Sequence, residues 1–280
     1  MTFPKISIIT PSFNQGRYLE ETIQSILNQQ YPNLEYIIID GGSTDNSVEI
    51  IKKYEKHLSY WVSEPDKGQS DAINKGFKRA TGEIICWLNS DDILMEDALN
   101  KVVTCFRDNT QLDLLNGYLL LIDEHSRILS NHFILKQKKW YAKRGIYYVS
   151  QPSMFWKREV FETTGLLKEE FHASMDREFL IRVFQNDFTI GHLSKILAGF
   201  RMHGTSKSSA GWQNLDYLHD LKQLKRMYGD GYGGKPKFLF KLVYGFEKLF
   251  KGVYLKKWLF TAKWRGKHVK ELDYNNCRYL

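Results

Sequence analysis

Asn89, Ser90, Asp91 and Asp92 leave the end of an apolar run, Ile84 to Leu88. Two adjacent carboxylates repel, and burying them costs several kcal/mol unless a positive group answers them. Their oxygens suit a hard divalent cation, Mn²⁺ or Mg²⁺, which takes one or two protein acids and shares the rest of its shell with substrate phosphates. The same pair could instead be solvated acids capping the helix that starts near Met95. A further acid, Asp176, begins the amphipathic stretch 173–186. There a carboxylate can take the proton of a reacting hydroxyl, or merely offset the helix macrodipole. Glu178, two residues on, is the second candidate for the base. His203 and Arg201, in "FRMHGTSKS", are candidates for a metal ligand and for diphosphate contacts, with a structural imidazole as the plainer reading of His203.

The elements that must position these residues alternate over the first hundred positions. "KISIIT" (5–10), "LEYIIID" (34–40), "YWVSE" (60–64) and "GEIICWL" (82–88) are predicted strands. Between them, 18–29, the segment after Gly41-Gly42, and 68–80 carry helical spacing, and a fourth helix is expected over 95–109. Strand-helix alternation of this kind argues for a parallel sheet with helices on both faces, binding its ligand beyond the carboxyl ends of the strands. Further on, 112–123 and 127–135 are expected to form a hairpin at the sheet edge. "FTIGHL" and "KILAGFRMH" are expected as two short strands, and the segment from Gln213 to Gly229 as a helix. Gln151 with Phe155 and Trp156 could floor a binding site or belong to the core.

Two phosphate-binding patterns are missing. The first strand-helix turn, "TPSFNQGRYL", has one glycine where a dinucleotide fold needs three, and "GDGYGGKP" (229–236) places Pro236 where a hydroxyl would hold magnesium. The cysteines, Cys86, Cys105 and Cys277, are odd in number and show no zinc spacing, as expected of a reducing compartment. The N-terminus does not read as a signal peptide, and no apolar run reaches the roughly 18 residues that span a bilayer, so a cytoplasmic location is expected.

The net charge of +8 is unevenly spread. Lys235 to Lys270 holds eleven Lys or Arg and one acid, Glu247, so that segment is +10 and the rest is −2. Projected on a helix, Lys241, Lys248, Lys251 and Lys263 fall on one side, with Leu242, Phe246, Leu249, Phe250, Val253 and Phe260 on the other. That pattern suits a helix lying on an anionic membrane, or one packed on the domain with its lysines solvated. No nucleic-acid motif accompanies it.

Several blocks resemble family-2 inverting glycosyltransferases of the GT-A fold, in particular bacterial O-antigen and capsule members. They are "ISIITPSFNQGRYLEETIQSILNQQYPNLEYIIIDGGSTDNS", "DKGQSDAINKGF" and "GEIICWLNSDD", with weaker likeness in "QPSMFWKREVFETTGLL", "SMDREFLIRV" and "LAGFRMHGTSKS". The last fifty residues show none. The resemblance implies a GT-A, Rossmann-like, mostly parallel α/β sheet flanked by helices, with a C-terminal helical extension. It implies a nucleotide-sugar-binding half over 1–108, an acceptor-binding and catalytic half over 109–228, and a basic tail over 229–280. Thr10 and Pro11 would border the base, and Asp40 would accept its N–H, although an Asx-type cap beside Gly41 is the alternative. Lys67, Gly68 and Asp71 would line the ribose and diphosphate. Where the family often has Asp-x-Asp-Asp, this chain has Asn89-Ser90-Asp91-Asp92. Asn89 and Ser90 would then meet the ribose, Asp91 the Mn²⁺ or Mg²⁺, Asp92 would serve as a ligand or as a capping acid behind the ligand, and His203 as third ligand. Asp176 would be the base. The implied reaction moves a sugar from a nucleotide-sugar donor, such as a UDP-sugar, to a hydroxyl of a lipid-linked surface polysaccharide on the inner face of the membrane. A catalytically weakened binding module, kept open by Asn89, and a nucleotidyltransferase are the alternatives.

Overall fold

In three of the first four strands nearly every residue is buried, because both faces are covered. β1 (Ile6–Ser12), β2 (Leu34–Asp40), β3 (Tyr60–Ser63) and β4 (Ile84–Trp87) are parallel, in the order β3-β2-β1-β4. Ile6, Ile8, Tyr36, Ile38, Ile84 and Cys86 pack on one face against α1 (Gly16–Leu27) and α2 (Ser47–Tyr54). Ile9, Ile37, Ile39, Ile85 and Trp87 pack on the other against α3 (Gln69–Arg79). A strand buried on both faces reads as a continuous apolar run, which is why the sequence marks these strands clearly.

The computed structural model describes residues 3–142, 147, 149–204, 206, 215–229, 232 and 238–273, with backbone only at Lys139 and 238–241. Apart from Gly229 and Tyr232, the glycine-rich 229–236 stretch lies outside the described residues, as do Thr205, Lys207, Ser208, the start of the helix expected after Gln213, Cys277 and the side chain of Lys241.

The second half makes the sheet mixed. β5 (Ile93–Leu94), a short strand the sequence did not signal, is followed by α4 (Ala98–Asp108), β6 (Leu114–Ile122), β7 (Ile128–His132) and α5 (Lys139–Ala142). β8 (Met154–Lys157), α6 (Arg158–Thr164), α7 (Met175–Gln185), β9 (Ile190–Arg201) and α8 (Leu215–Tyr228) come next. Two further helices, α9 (Phe238–Phe250) and α10 (Val253–Trp264), form the C-terminal extension. The full order is β3-β2-β1-β4-β8-β6-β9-β5, with β7 paired to β6.

Two expectations are corrected. The β6–β7 hairpin forms, but β6 is interior rather than at an edge. It pairs with β8 through Leu114–Asn116, with β7 through Leu119–Ile122, and with β9 along its length. The two short strands expected over 188–203 are one strand, β9. The register shift before Tyr118 absorbs Ser194 and Lys195, and a second, after it, absorbs Leu197; the polar interruption is what split the strand in the sequence reading.

The tail is not separate from this body. Tyr244, Val253, Phe260 and Trp264 share a third core with Tyr118, Ile122, Ile128 and Phe133, and Asn131 Nδ2 donates to the Lys257 carbonyl at 3.2 Å.

Candidate active site

The strand order reverses between β1 and β4: β2 and β3 lie to one side of β1, and the chain returns to β4 on the other. In such sheets the crevice for ligands opens at the carboxyl ends flanking that switch. The loop Asn89-Ser90-Asp91-Asp92 leaves β4 there, just after the Leu88 N–H closes onto the Ile9 carbonyl at 2.9 Å. β5 then pairs antiparallel with β9, Ile93 opposite Gly199 and Leu94 opposite Ala198. This short pairing brings positions more than a hundred residues apart against the loop.

Arg201, at the end of β9, is the cation brought beside Asp91 and Asp92, but its guanidinium bonds to neither carboxylate. Its backbone N–H donates to Asp92 Oδ1 at 2.9 Å and its Nε to the Asp91 carbonyl at 2.7 Å. Its other nitrogens donate to the Asp123 carbonyl, to Ser126 Oγ and to Glu21 Oε2. The guanidinium also stands 5.0 Å from the Tyr18 ring centroid. Because this side chain is fully buried and committed, the diphosphate role considered for Arg201 is corrected to a structural one. From the opposite side, Thr22 of α1 sends its hydroxyl to the carbonyls of Ser90 (2.9 Å) and Asp92 (2.7 Å).

Within this frame the two aspartates differ. Asp92 is fully buried, and burial, with the Asp91 charge behind it, pushes its carboxyl well above the ordinary aspartate range. Asp91 keeps 18% of its side chain open, and its Oδ2 lies 2.9 Å from His203 Nε2. The His203 ring rests 4.7 Å from that of Tyr18. Among the described residues no three His, Cys, Asp or Glu side chains cluster as a metal site. Asp91 and His203 together still offer an oxygen and a nitrogen donor at one point. That set suits a Mn²⁺ or Mg²⁺ that takes its remaining ligands from phosphates and water. Asp92, closed off by protein, does not suit direct coordination.

Asn89 is held on both sides: its Oδ1 accepts from Gln69 Nε2 at 2.8 Å and its Nδ2 reaches Asp92 Oδ2 at 3.4 Å. Gln69 is the first residue of α3. Gly68 before it has φ 113°, a conformation other residues rarely adopt, although a Cβ there would meet nothing. The Lys67 N–H donates to Asp71 Oδ2 at 3.1 Å, and the exposed Lys67 ammonium is 3.9 Å from Glu169.

The turns after β1 and β2 are joined. Asn14 Oδ1 accepts from the Thr44 N–H, and Asp45 Oδ2 from the Gly16 N–H. Thr10 and Pro11 are buried in β1, and Thr10 Oγ1 lies 3.2 Å from the Tyr36 hydroxyl. Phe13, just beyond, is exposed. Asp40 is buried and caps its own turn: Oδ2 accepts from the Gly42 and Ser43 N–H groups and from the Ser63 hydroxyl, and Oδ1 from the Ser43 hydroxyl.

Asp176 sits in the first turn of α7. This helix start is tied to α3 by the Ser70 hydroxyl, which reaches the Phe171 carbonyl (3.3 Å) and Met175 Sδ (3.0 Å). Asp176 therefore belongs to the same end of the sheet as Gln69 and Asn89. It is partly buried, its Oδ1 accepts from the Arg177 N–H at 2.7 Å, and burial followed by the Asp220 charge raises its pKa above the usual 3.8. Asp220 of α8 holds the helix start by accepting from the N–H groups of Ala173 and Ser174. Glu178 is withdrawn as second base. It is fully buried, bound in a fork by Arg182 at 2.8–3.0 Å, and contacted by Lys168 and the Tyr228 hydroxyl. Phe155 and Trp156 lie wholly in the core, which removes them from an acceptor floor; Gln151, partly open, donates to the Trp87 carbonyl at 2.6 Å.

Sequence reasoning did not single out Thr22, Glu21, Gln69 or Asp220. Thr22 alone left a local trace, a polar residue in the apolar stripe of α1.

A model of glycosyl transferase family 2 matches residues 7–165. TuaG of Bacillus subtilis, named for teichuronic acid biosynthesis, is 28% identical over 75% of this chain and 84% of its own length. A PGL/p-HBAD biosynthesis glycosyltransferase of Mycobacterium bovis is 30% identical over 66% of this chain and 72% of its own. Among solved structures, S. aureus TarS with UDP-GlcNAc superposes with a TM-score of 0.63 at 19% identity, covering 79% of this chain and 66% of that one. A Pyrobaculum calidifontis mannosyltransferase with GDP-Man and Mn²⁺ gives a TM-score of 0.60 at 17% identity over 88% and 70%. The family model spans more than half of the chain and the architecture is the GT-A fold, so the chain belongs to glycosyl transferase family 2 and is a glycosyltransferase.

Proposed function

We propose that the protein is an inverting glycosyltransferase that moves a sugar from a UDP-sugar to a hydroxyl of a lipid-linked surface glycan. The observation that carries this reading is the Asp91–His203 pair, 2.9 Å apart at the strand-order reversal. These two residues would hold Mn²⁺ or Mg²⁺, with Asp92 behind them as the acid that fixes the loop. When bound, the cation supplies positive charge beside the donor diphosphate.

The chain's own groups do the rest. The joined turns after β1 and β2, with Pro11, the backbone of Thr10 and exposed Phe13, would border the base, and Asp40 would meet its N–H by exchanging one of its turn bonds. Gly68 lets backbone approach the donor, Lys67 and Asp71 flank its ribose and diphosphate, and Asn89 with Ser90 faces the ribose. Asp176, whose raised pKa makes it a better base than an ordinary aspartate, takes the acceptor hydroxyl proton as that oxygen bonds to the anomeric carbon. The bond from that carbon to the diphosphate oxygen breaks on the opposite face, which inverts the centre.

Residues 1–108 would thus bind donor and 109–228 acceptor, with 229–280 turned to the inner face of the membrane. A surface-glycan acceptor is supported by the biosynthetic names of the Bacillus and Mycobacterium relatives. The test is UDP release from a panel of UDP-sugars with Mn²⁺, with and without lipid-linked acceptor. Asp91→Ala should lose metal-dependent donor binding. Metal-dependent binding that survives in this variant refutes the site.

A further inference from the structure

The sequence projection put six apolar tail residues on one stripe, and the structure divides them. Gly252, at φ 65°, ends α9 and turns the chain into α10. Tyr244 on α9 and Val253, Phe260 and Trp264 on α10 face the β6–β7 core. Opposite Tyr244, Leu242, Phe246, Leu249 and Phe250 recur at helical spacing and are open to solvent, Phe246 at 58%, Leu249 at 60% and Phe250 at 87%. Opposite the buried stripe of α10, Leu255 is 61% and Trp258 65% exposed. Of fifteen exposed large hydrophobics among the described residues, eight lie between positions 242 and 258. A soluble monomer rarely leaves so much apolar surface together unless something covers it.

Charge selects the occupant. Lys251, Lys256, Lys257, Lys263, Arg265 and Lys267 are exposed around the patch. Glu247, the acid within α9, is already paired with Lys138 (2.7 Å) and Lys251 (3.3 Å). A second copy of this surface would bring like charges together, whereas anionic lipid headgroups would neutralise them. Each helix is about 20 Å long at 1.5 Å per residue, and no described helix is long and apolar enough to cross a membrane. Helices of this length and composition can lie on a bilayer but not cross it.

We propose that the outward faces of α9 and α10 form one lipid-docking surface that inserts Phe246, Leu249, Phe250, Leu255 and Trp258 into an anionic bilayer, while the opposite faces hold the catalytic domain against it. This rests on the reading of a membrane-borne acceptor and names the residues and mode of attachment. Insertion of apolar groups, unlike lysine attraction alone, survives salt.

The experiment is flotation of the full chain with phosphatidylcholine vesicles, with and without phosphatidylglycerol, at low and high salt. The variants are Phe246→Ser/Phe250→Ser/Trp258→Ser and Lys256→Gln/Lys257→Gln, with UDP release from the donor alone reporting an intact domain. The wild type should bind the anionic vesicles and keep part of that binding at high salt. The triple variant should lose at least about tenfold, since three large side chains no longer leave water. The lysine variant should weaken the preference for phosphatidylglycerol but retain salt-resistant binding. If the triple variant binds like the wild type, this surface is wrong while membrane attachment stands. If the wild type ignores every vesicle, the membrane reading falls with it. A dimer broken by the triple variant, in the absence of vesicle binding, would assign the patch to a second copy instead.

Discussion

At the end of β4, Asp92 is buried with its Oδ1 on the Arg201 N–H, and neighbouring Asp91 is left partly open. At the start of α7, Glu178 is buried with both oxygens on Arg182, and Asp176, two residues earlier, is left partly open. Each region thus spends one acid on position and leaves another partly open. The compensation differs. Glu178 meets a guanidinium in a bidentate pair and a lysine besides, so its charge is answered directly. Asp92 receives a peptide N–H, while the Arg201 guanidinium serves Glu21 and the Asp91 and Asp123 carbonyls. Within α7 the buried acid is locked by an ion pair; the loop after β4 is held mainly by its peptide groups, so the charge of Asp92 contributes little to keeping it in place.

Breaking the open acid of α7 should give the largest effect. Asp176→Asn keeps an oxygen for the Arg177 N–H, so donor binding should persist while transfer falls about 10²–10⁴-fold, the range for loss of a general base; single-turnover kinetics with a bound donor check this. Wild-type transfer should fall on the acid side at a pH above the ordinary aspartate value of 3.8, because the base form is lost as pH drops through the raised pKa. Stability runs the other way. An acid with a raised folded pKa contributes stability below 3.8, and that contribution is lost as pH rises through the raised value. The variant should therefore flatten this part of the unfolding profile.

Next in size is the locked acid of the same helix. Glu178→Gln strands Arg182 and should cost about 3–5 kcal/mol in urea unfolding, as when one partner of a buried pair is removed. The equivalent change at β4 sharpens the comparison. Asp92→Asn retains Oδ1 for the Arg201 N–H and sheds a poorly compensated charge, so it should stay within about 1 kcal/mol of wild type. Equal losses at the two sites would show that both acids are held by charge. Lys67→Ala should be smallest, below about 0.5 kcal/mol in thermal unfolding, since its ion pair with Glu169 is exposed. A drop in donor affinity from a change so mild would then report a direct contact with the donor.

Much of the first hundred residues' fold was legible in the chain. Residues 34–40 are β2 as expected, and 69–79 became α3, because burial on both sheet faces and on one helix face leaves a local apolar pattern. The open and locked acids were not distinguishable. Nothing near Asp91 or Asp92 announces Arg201, and nothing near Asp176 announces Asp220. In the tail, a single helical projection hid the turn at Gly252 that sends Val253 and Phe260 inward and leaves Phe250 outside.

By itself, then, the sequence determined the alternating strands and helices of the first hundred residues, the family, and the placement of Asp91 and Asp92 at a strand end. These follow from periodicity and from neighbours a few residues apart. Tertiary structure alone decided which acid stays open, what answers its charge, and that His203 meets Asp91 across 112 positions. Those outcomes turn on the two-residue pairing of β5 with β9, and the energy of a buried charge is set by what such distant contacts place beside it.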